Sequence, residues 1–388
     1  MPRAVIVDAV RTPIGRAFKG SLAQLRPDEM GAFVVDALLD RNPEVDPALV
    51  EDVVCGVGLP QGLQGFNMGR IIALLSERLP LGTNGVTVSR YCASSLESIR
   101  QAANAVEAGQ GEAYIAAGVE WVSRYNESVE GARPQDQNEH LQGKNGDPDA
   151  YISMGLTAEN VADRYEVSRA DMDKYAQRSQ ELAVESQENG FFDREIVELT
   201  LPDGTTIAKD DGPRASSSLE KLSQLDPVFR EDGGKVTAGN SCPLNDGAAA
   251  VLVMSDVKAQ ELGCKPRARI ITSATAAVEP EYMGVAPIGA IGKVLERAGM
   301  KIDDVDAVEL NEAFAAQVIP IMSECDIPLE KLNRHGGAIA LGHPFGMTGA
   351  RIMTTLLNGL ESDDGTIGLE TMCVAGGQGQ AMLVERLN

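Results

Sequence analysis

The order of elements at the start of the chain recurs at its end, and that repetition limits the folds open to it. An apolar, strand-like run opens each half, Ala4-Val-Ile-Val-Asp-Ala9 and Ala268-Arg-Ile-Ile-Thr-Ser273. A helical pattern follows, around Met30 to Leu39 and around Pro287 to Ala298. An acidic turn then leads into a second strand, within Val45 to Cys55 and within Ile302 to Leu310. Next, a turn of small residues opens a helix: Cys92 with Ser94 to Val106, and His343 with Gly346 to Leu357. A further strand ends each pattern, Ala113 to Gly118 and Thr366 to Cys373. Strands alternating with helices predict a parallel sheet with helices covering it. Duplication is the reading taken here; the grammar common to α/β chains is the alternative. The units expected are residues 1–120, an inserted region 121–245, a return of the first half over 246–267, and 268–388. The insertion is polar and loop-rich at Gly131 to Glu139 and Gly143 to Pro148, then carries amphipathic helices near Leu156 to Tyr165 and Arg169 to Asn189. An insertion of that size in a compact fold is usually a lid or an oligomer contact.

With 388 residues, 43% of them hydrophobic and 23% charged, the chain can bury a large core. The charge balance, 34 Lys and Arg against 57 Asp and Glu, gives −23. That argues against nucleic acid and against docking on an anionic membrane, and leaves room for a local basic pocket. No stretch approaches the ~18 apolar residues of a membrane span. The start, Met1-Pro-Arg-Ala-Val-Ile-Val-Asp, lacks the pattern of a signal peptide, and Glu385-Arg-Leu-Asn388 is not a peroxisomal tail. The six cysteines are scattered with no C-x-x-C pair, so neither disulfides nor a zinc site is expected and the cytoplasm is the natural compartment. The three histidines, His140, His335 and His343, have no ligand spacing, and no metal is expected. A nicotinamide enzyme would need a G-x-G-x-x-G after a strand, which is lacking.

Three glycine-rich or small-residue stretches carry the chemistry: Val88-Ser-Arg-Tyr-Cys92-Ala-Ser-Ser95, Gly336-Gly-Ala-Ile-Ala-Leu-Gly-His343-Pro-Phe-Gly346 and Thr371-Met-Cys373-Val-Ala-Gly-Gly-Gln-Gly379. A single cysteine is more often a small buried hydrophobe; three such stretches together point elsewhere. One thiol attacks a carbonyl as thiolate and wants a base close by. A second thiol can carry a proton to or from carbon across the same pocket. Cys92 is placed at a helix N-terminus, where the dipole is expected to lower its pKa and its own N–H can serve an oxyanion. His343 also precedes a helix, which favours neutral imidazole. Asn311, in Glu309-Leu-Asn-Glu-Ala-Phe314, ends a strand before a helix and is read as an N-cap, a site residue, or both. Cys-His-Cys chemistry of this kind makes or breaks a carbon–carbon bond beside a thioester.

These blocks, with Asn311 to Ala315, Gly336 to Pro344, Met154 to Asn160 and Thr237 to Asn240, resemble the thiolases over essentially the whole chain, and within them the 3-ketoacyl-CoA thiolases. The resemblance implies a duplicated five-layer αβαβα thiolase fold with an inserted loop domain that binds CoA and makes oligomer contacts. It implies acyl transfer from a 3-ketoacyl-CoA to coenzyme A, a substrate rather than a resident cofactor, through an acyl-cysteine with release of acetyl-CoA. Carried over by motif, Cys92 is the nucleophile and His343 activates it. Cys373 protonates the departing acetyl-CoA carbanion or removes the α-proton in condensation. His343 with an Asn311-held water forms one oxyanion hole; the N–H groups of Cys92 and Ala375 form the other. Arg214, in the stretch to Leu222, is the candidate for the nucleotide end of CoA, and Cys242, Met154, Ser153 and Phe314 are the candidates along its pantetheine and acyl path. A homodimer or homotetramer, and a partner subunit in a β-oxidation complex, are implied as well.

Departures from the family pattern bear on substrate. The usual Asn before the Arg and Gly after the Cys pair are here Ser89 and Ser95; one hole-forming glycine is Ala375; a serine commonly facing pantetheine is Cys242. The block Ala116-Ala-Gly-Val-Glu-Trp-Val-Ser123 is expected to place the only tryptophan, Trp121, near the acyl tunnel. Acetoacetyl-specific members carry His before the Met where this chain has Ser153, which favours longer substrates of β-oxidation. The acetoacetyl-CoA thiolase working in condensation is the alternative. A ketoacyl synthase or a non-catalytic relative fits less well with an intact Cys92, His343, Cys373 and Asn311 block.

Overall fold

A computed structural model describes residues 2–123, 137–201 and 203–388; of the loop-rich stretch read at Gly131 to Glu139, residues 131–136 lie outside the described residues. The first half contains β1 (Ala4–Arg11), β2 (Gly15–Arg16), α1 (Pro27–Asp40), β3 (Val50–Val57), α2 (Met68–Leu75), β4 (Asn84–Val88), α3 (Ser94–Glu107) and β5 (Ala113–Trp121). The insertion carries α4 (Met154–Arg164), α5 (Arg169–Glu188), the short pair β6 (Leu199–Thr200) and β7 (Thr206–Ile207), and α6 (Leu219–Ser223). The chain then returns through β8 (Asn245–Ser255) and α7 (Asp256–Leu262). The second half runs β9 (Ala268–Ala277), α8 (Ala286–Ala298), β10 (Ala307–Leu310), α9 (Ala315–Glu324), α10 (Ala338–Leu341), α11 (Thr348–Ser362), β11 (Ile367–Val374) and β12 (Gln378–Arg386).

The duplication is visible in strand order. One half reads β4-β3-β5-β8-β1 and the other β10-β11-β12-β9, the two joined where Val5 and Ile6 pair with Arg269 and Ala268. A parallel bridge from Leu332 to Val308 stands beside β10 as β4 stands beside β3. The expected parallel sheet is corrected to a mixed one: β3 pairs in parallel with β4 and β5, as β10 does with β11, but β8 and β12 run antiparallel to both neighbours. The reason for β12 is the tight Ala375-Gly376-Gly377 turn after β11, with both glycines at positive φ, which can only reverse the chain.

β1, β5 and β8 are buried along their whole length. This fits their near-continuous runs of Ala, Val, Ile and Leu, because strands covered on both faces lose the polar alternation of a half-exposed sheet. α1 and α2 pack on the outer face of the first half, α8 on the outer face of the second, and α3 and α11 lie between them. That is the five-layer αβαβα arrangement. The outermost apolar clusters hold Met30, Leu38 and Ile72 on one side and Ile291, Val294 and Ile321 on the other. The central cluster holds Leu96, Ile99, Met353 and Leu356. α1 starts on Pro27 with Asp28 and Glu29 in its first turn, and α8 stops at Gly299 in the left-handed region, both matching the preferences of helix ends.

Candidate active site

Four chain turns meet where β4, β10 and β11 end. Cys92 lies on the turn between β4 and α3, and Tyr91 before it has φ of 44°, a strained value for a side chain of that size. The Ser94 hydroxyl fastens the turn, accepting from the Arg90 N–H at 3.0 Å and donating to the Tyr91 carbonyl at 2.6 Å. Ser95 accepts from the Ala350 N–H at 2.9 Å and ties α3 to α11. The Cys92 thiol is buried beside Cys373 and Cys242, and the Ala375 backbone N–H hydrogen-bonds it. Burial pushes its pKa well above the ordinary value, with the two thiols and Glu120 adding and the Ala375 N–H opposing. The expected lowering at a helix N-terminus is therefore corrected: loss of water outweighs the dipole, and Cys92 rests as a thiol.

His343 is buried, and burial together with Arg351 lowers its pKa to about 3, so the ring is neutral. The hydrogen bonds assign the tautomer. Thr348 Oγ1 donates to the Pro344 carbonyl at 2.8 Å, so it accepts from His343 Nδ1–H at 2.6 Å. Nε2 is left as the basic nitrogen and accepts from Asn311 Nδ2 at 3.3 Å. Asn311 Oδ1 is buried and without a hydrogen-bond partner among the described residues, which leaves it an acceptor for a ligand hydroxyl or a water. Gly342 before the histidine has φ of 118° and the Asn245 amide against it; a Cβ there would lie 2.5 Å from that side chain.

Two buried carboxylates brace the His343 segment from either end, and sequence reasoning missed both. Glu312 accepts from Tyr175 O–H at 2.8 Å, Asn333 Nδ2 at 2.9 Å, Ser179 O–H at 2.6 Å and the Ile339 N–H at 3.2 Å. Glu120 accepts from the N–H groups of Gly58 at 2.8 Å and Gly346 at 2.7 Å, and from Gln64 at 2.6 Å. Burial raises the Glu120 pKa to about 7 against those donors.

Cys373 is the penultimate residue of β11, fully buried. Gln317 of α9 places its Nε2 at 2.9 Å and its Oε1 at 3.3 Å from the sulfur. Burial pushes the Cys373 thiol up to about 11, with Gln317 pulling the other way. Gln317 was not singled out in the sequence; its place on the first turn of the helix that follows Asn311 was the available signal.

Arg214 borders a cavity of about 260 Å³ that also exposes Arg16, Lys221 and Ser216 and reaches Gly239, Pro243 and Ile339. Burial and the neighbouring Arg16 lower the Arg214 pKa, and none of the three cations forms an ion pair among the described residues. An anion-attracting mouth thus exists in a strongly acidic chain, and Pro243 joins it to Cys242. Cys242, Met154 and Phe314 share one apolar cluster with Cys373. Phe229 meets Phe314 edge-on at 6.1 Å, and its ring lies where a Cβ on Gly155 would be, 2.1 Å away. Ser153 is the exposed N-cap of α4, its side chain making no cap bond. Trp121 does not join this group: it packs with Met68, Val57 and Val119 in the cluster under α1 and α2. The expectation of a tryptophan at the acyl path is corrected, since alternation along β5 turns position 121 to the outer helices. Among the described residues no group of His, Cys, Asp and Glu could hold a metal, and no helix is long and apolar enough to cross a membrane.

The family models for the thiolase N-terminal and C-terminal domains match residues 4–257 and 264–386. The chain is 42% identical to a β-ketoadipyl-CoA thiolase of Acinetobacter baylyi, over 100% of both chains. It is 41% identical to a 3-ketoacyl-CoA thiolase of Saccharophagus degradans, over 99% of this chain and 98% of the relative. Among solved structures it superposes on the Bacillus anthracis acetyl-CoA acetyltransferase with a TM-score of 0.92 and 38% identity, over 100% and 99% of the two chains. It matches the dimeric peroxisomal thiolase of Saccharomyces cerevisiae with a TM-score of 0.93 and 37% identity, over 100% and 98%.

Proposed function

Because the chain belongs to the thiolase family, we propose that it cleaves 3-ketoacyl-CoA with coenzyme A as a degradative, β-oxidation type thiolase. The observation that carries the reading is the pairing of two buried thiols, Cys92 and Cys373, with a histidine held neutral and basic at Nε2. In the proposed reaction the Cys92 thiol gives its proton to His343 Nε2 as its sulfur attacks the 3-keto carbon. The Cys92 and Ala375 N–H groups receive the oxyanion. The bond between C2 and C3 then breaks, and the acetyl-CoA enolate, held by His343 and Asn311, takes the Cys373 proton. Coenzyme A attacks the acyl-Cys92, its thiol proton passing to the Cys373 thiolate, and Cys92 recovers its own proton from His343. Each step moves one proton between named atoms, so all three groups return to their starting state.

Arg214, Arg16 and Lys221 suit the phosphates of CoA, which is a substrate here. Met154, Cys242, Phe229 and Phe314 offer an apolar path to an alkyl chain. Ser153, in place of a bulkier imidazole, favours substrates longer than acetoacetyl-CoA. The acetyl-CoA acetyltransferase likeness supports a second reading, acetoacetyl-CoA thiolase working in condensation. A second copy of the chain is the proposed partner: β4 ends the sheet, and Phe66 and Leu81 beside it are 92% and 76% exposed. Association with a β-oxidation partner subunit and residence in the cytoplasm belong to the same proposal. The test is thiolysis by purified enzyme of acetoacetyl-CoA, medium- and long-chain 3-ketoacyl-CoA and β-ketoadipyl-CoA. Highest kcat/KM on a neutral chain longer than acetoacetyl supports the reading; activity confined to acetoacetyl-CoA or to the dicarboxylate replaces it.

A further inference from the structure

The side chain against the Cys373 sulfur is a primary amide that offers it a donor and an acceptor at once. Gln317 is fully buried on the first turn of α9. Its Nε2 is 2.9 Å and its Oε1 3.3 Å from Cys373 Sγ. The orientation of the amide is fixed by a third group: Nε2 also lies 3.4 Å from the Asn311 carbonyl oxygen, which can only accept. Room for the side chain comes from Gly284, where a Cβ would stand 2.9 Å from Gln317 Cβ. The amide thus links the Asn311 strand end to the second thiol.

We propose that Gln317 is the positioning residue for the proton transfers of Cys373, its Oε1 accepting from the thiol and its Nε2–H donating to the thiolate. The inference rests on the thiolase reading of the site. When the Cys373 S–H bond breaks and its proton passes to C2 of the acetyl-CoA enolate, the electron pair stays on sulfur. A bare thiolate in an apolar interior is strongly disfavoured unless a donor already faces it. When that thiolate takes the proton of incoming CoA, the new thiol finds Oε1 in place. Neither step needs a side chain to turn. The titratable groups facing Cys373 are the thiols of Cys92 and Cys242, with Glu312 acting on Cys242 and His343 reached through Asn311. None is a cation in the resting site, and Gln317 is the side-chain donor that, with the Cys373 backbone N–H, favours the thiolate.

The test uses the full chain carrying Gln317→Met, of similar length without donor or acceptor, and Gln317→Glu, nearly isosteric. Three readouts are compared with wild type: single-turnover acylation of Cys92 from a simple acyl-CoA, exchange of acetyl-CoA α-protons with D2O, and alkylation of Cys373 by iodoacetamide against pH in a Cys92→Ser background. The expected result for Gln317→Met is Cys92 acylation within about twofold of wild type and α-proton exchange reduced ~10–100-fold, the range set by one hydrogen bond to a charged group. The alkylation midpoint of Cys373 moves up by about one pH unit or more in both variants, further for Gln317→Glu because a carboxylate repels the thiolate. If the methionine variant does not fold, the glutamate variant carries the same test. Exchange within about twofold of wild type with an unmoved alkylation midpoint overturns the role of Gln317 and leaves the thiolase reading standing. Absence of both thiolysis and α-proton exchange in the wild type overturns that reading first.

Discussion

Asn311 donates its side-chain N–H to His343 Nε2 at 3.3 Å, while the other ring nitrogen donates to Thr348 at 2.6 Å. The two contacts together leave the histidine one basic nitrogen and point it at the asparagine end of the site. Asn311→Ala is expected to lower thiolysis ~10²–10³-fold, the usual effect of removing one oxyanion donor. Asn311→Asp should act differently, adding a titration near neutral pH because a carboxylate beside Nε2 raises the ring's pKa. Steady-state kcat against pH for both variants checks this; alanine at near wild-type rate rejects the assignment.

His343 titrates at about 3 in the folded chain, below its unfolded value, so the unfolded chain binds the extra proton first. Stability from this group is present above about pH 6.5 and is lost as pH falls toward 3, by up to about 1.4 kcal/mol per pH unit. The difference between wild type and His343→Gln in denaturant unfolding across that window should show the slope. A difference independent of pH would contradict it.

Glu370 has the opposite sign. Both its oxygens are buried without a hydrogen-bond partner among the described residues, and it sits in register with Glu309 on the neighbouring strand. Burial raises its pKa well above the usual carboxylate range, and Arg351 only partly offsets this. Its stabilising protonated form is complete below the unfolded value and is lost as pH rises. Glu370→Gln, which mimics that form, is expected to gain about 1–3 kcal/mol at pH 8 and progressively less toward pH 5. Thermal melting of both proteins at the two pH values decides it.

Trp121 packs under α1 and α2, away from Phe314 and Met154. Trp121→Ala should therefore destabilise by about 3–5 kcal/mol, the range for a large aromatic removed from a core. The ranking of 3-ketoacyl-CoA chain lengths should stay the same. A gain confined to longer chains would return the tryptophan to the acyl path.

The repeat was legible because β1 and β5, buried along their whole length, read as apolar runs between helical patterns, and β9, though only partly buried, still opens on the apolar run Ala268-Arg-Ile-Ile. Strand direction was not legible: β8 and β12 are buried much like the strands they oppose, and only the chain's path reverses them. The motifs led to Cys92, His343 and Cys373 through the small residues in their stretches, and to Asn311 as a polar residue at a strand end before a helix. Gln317, Glu120 and Glu312 stayed hidden because a lone polar residue in an apolar stretch looks the same whether it faces a thiol or a solvated surface. The thiol pKa of Cys92 was misjudged for a related reason, since burial is a property of all five layers and the helix dipole a property of one turn.

In the proposed mechanism an acyl group passes through Cys92 while Cys373 handles the proton. Peptide mass analysis of Cys373→Ala after brief incubation with an acyl-CoA separates the two roles. The expected result is a single acyl adduct on Cys92, abolished by adding Cys92→Ser, with no carbon–carbon cleavage of a 3-ketoacyl-CoA. An adduct on Cys242 or on no cysteine, or cleavage at near wild-type rate without Cys373, would contradict it.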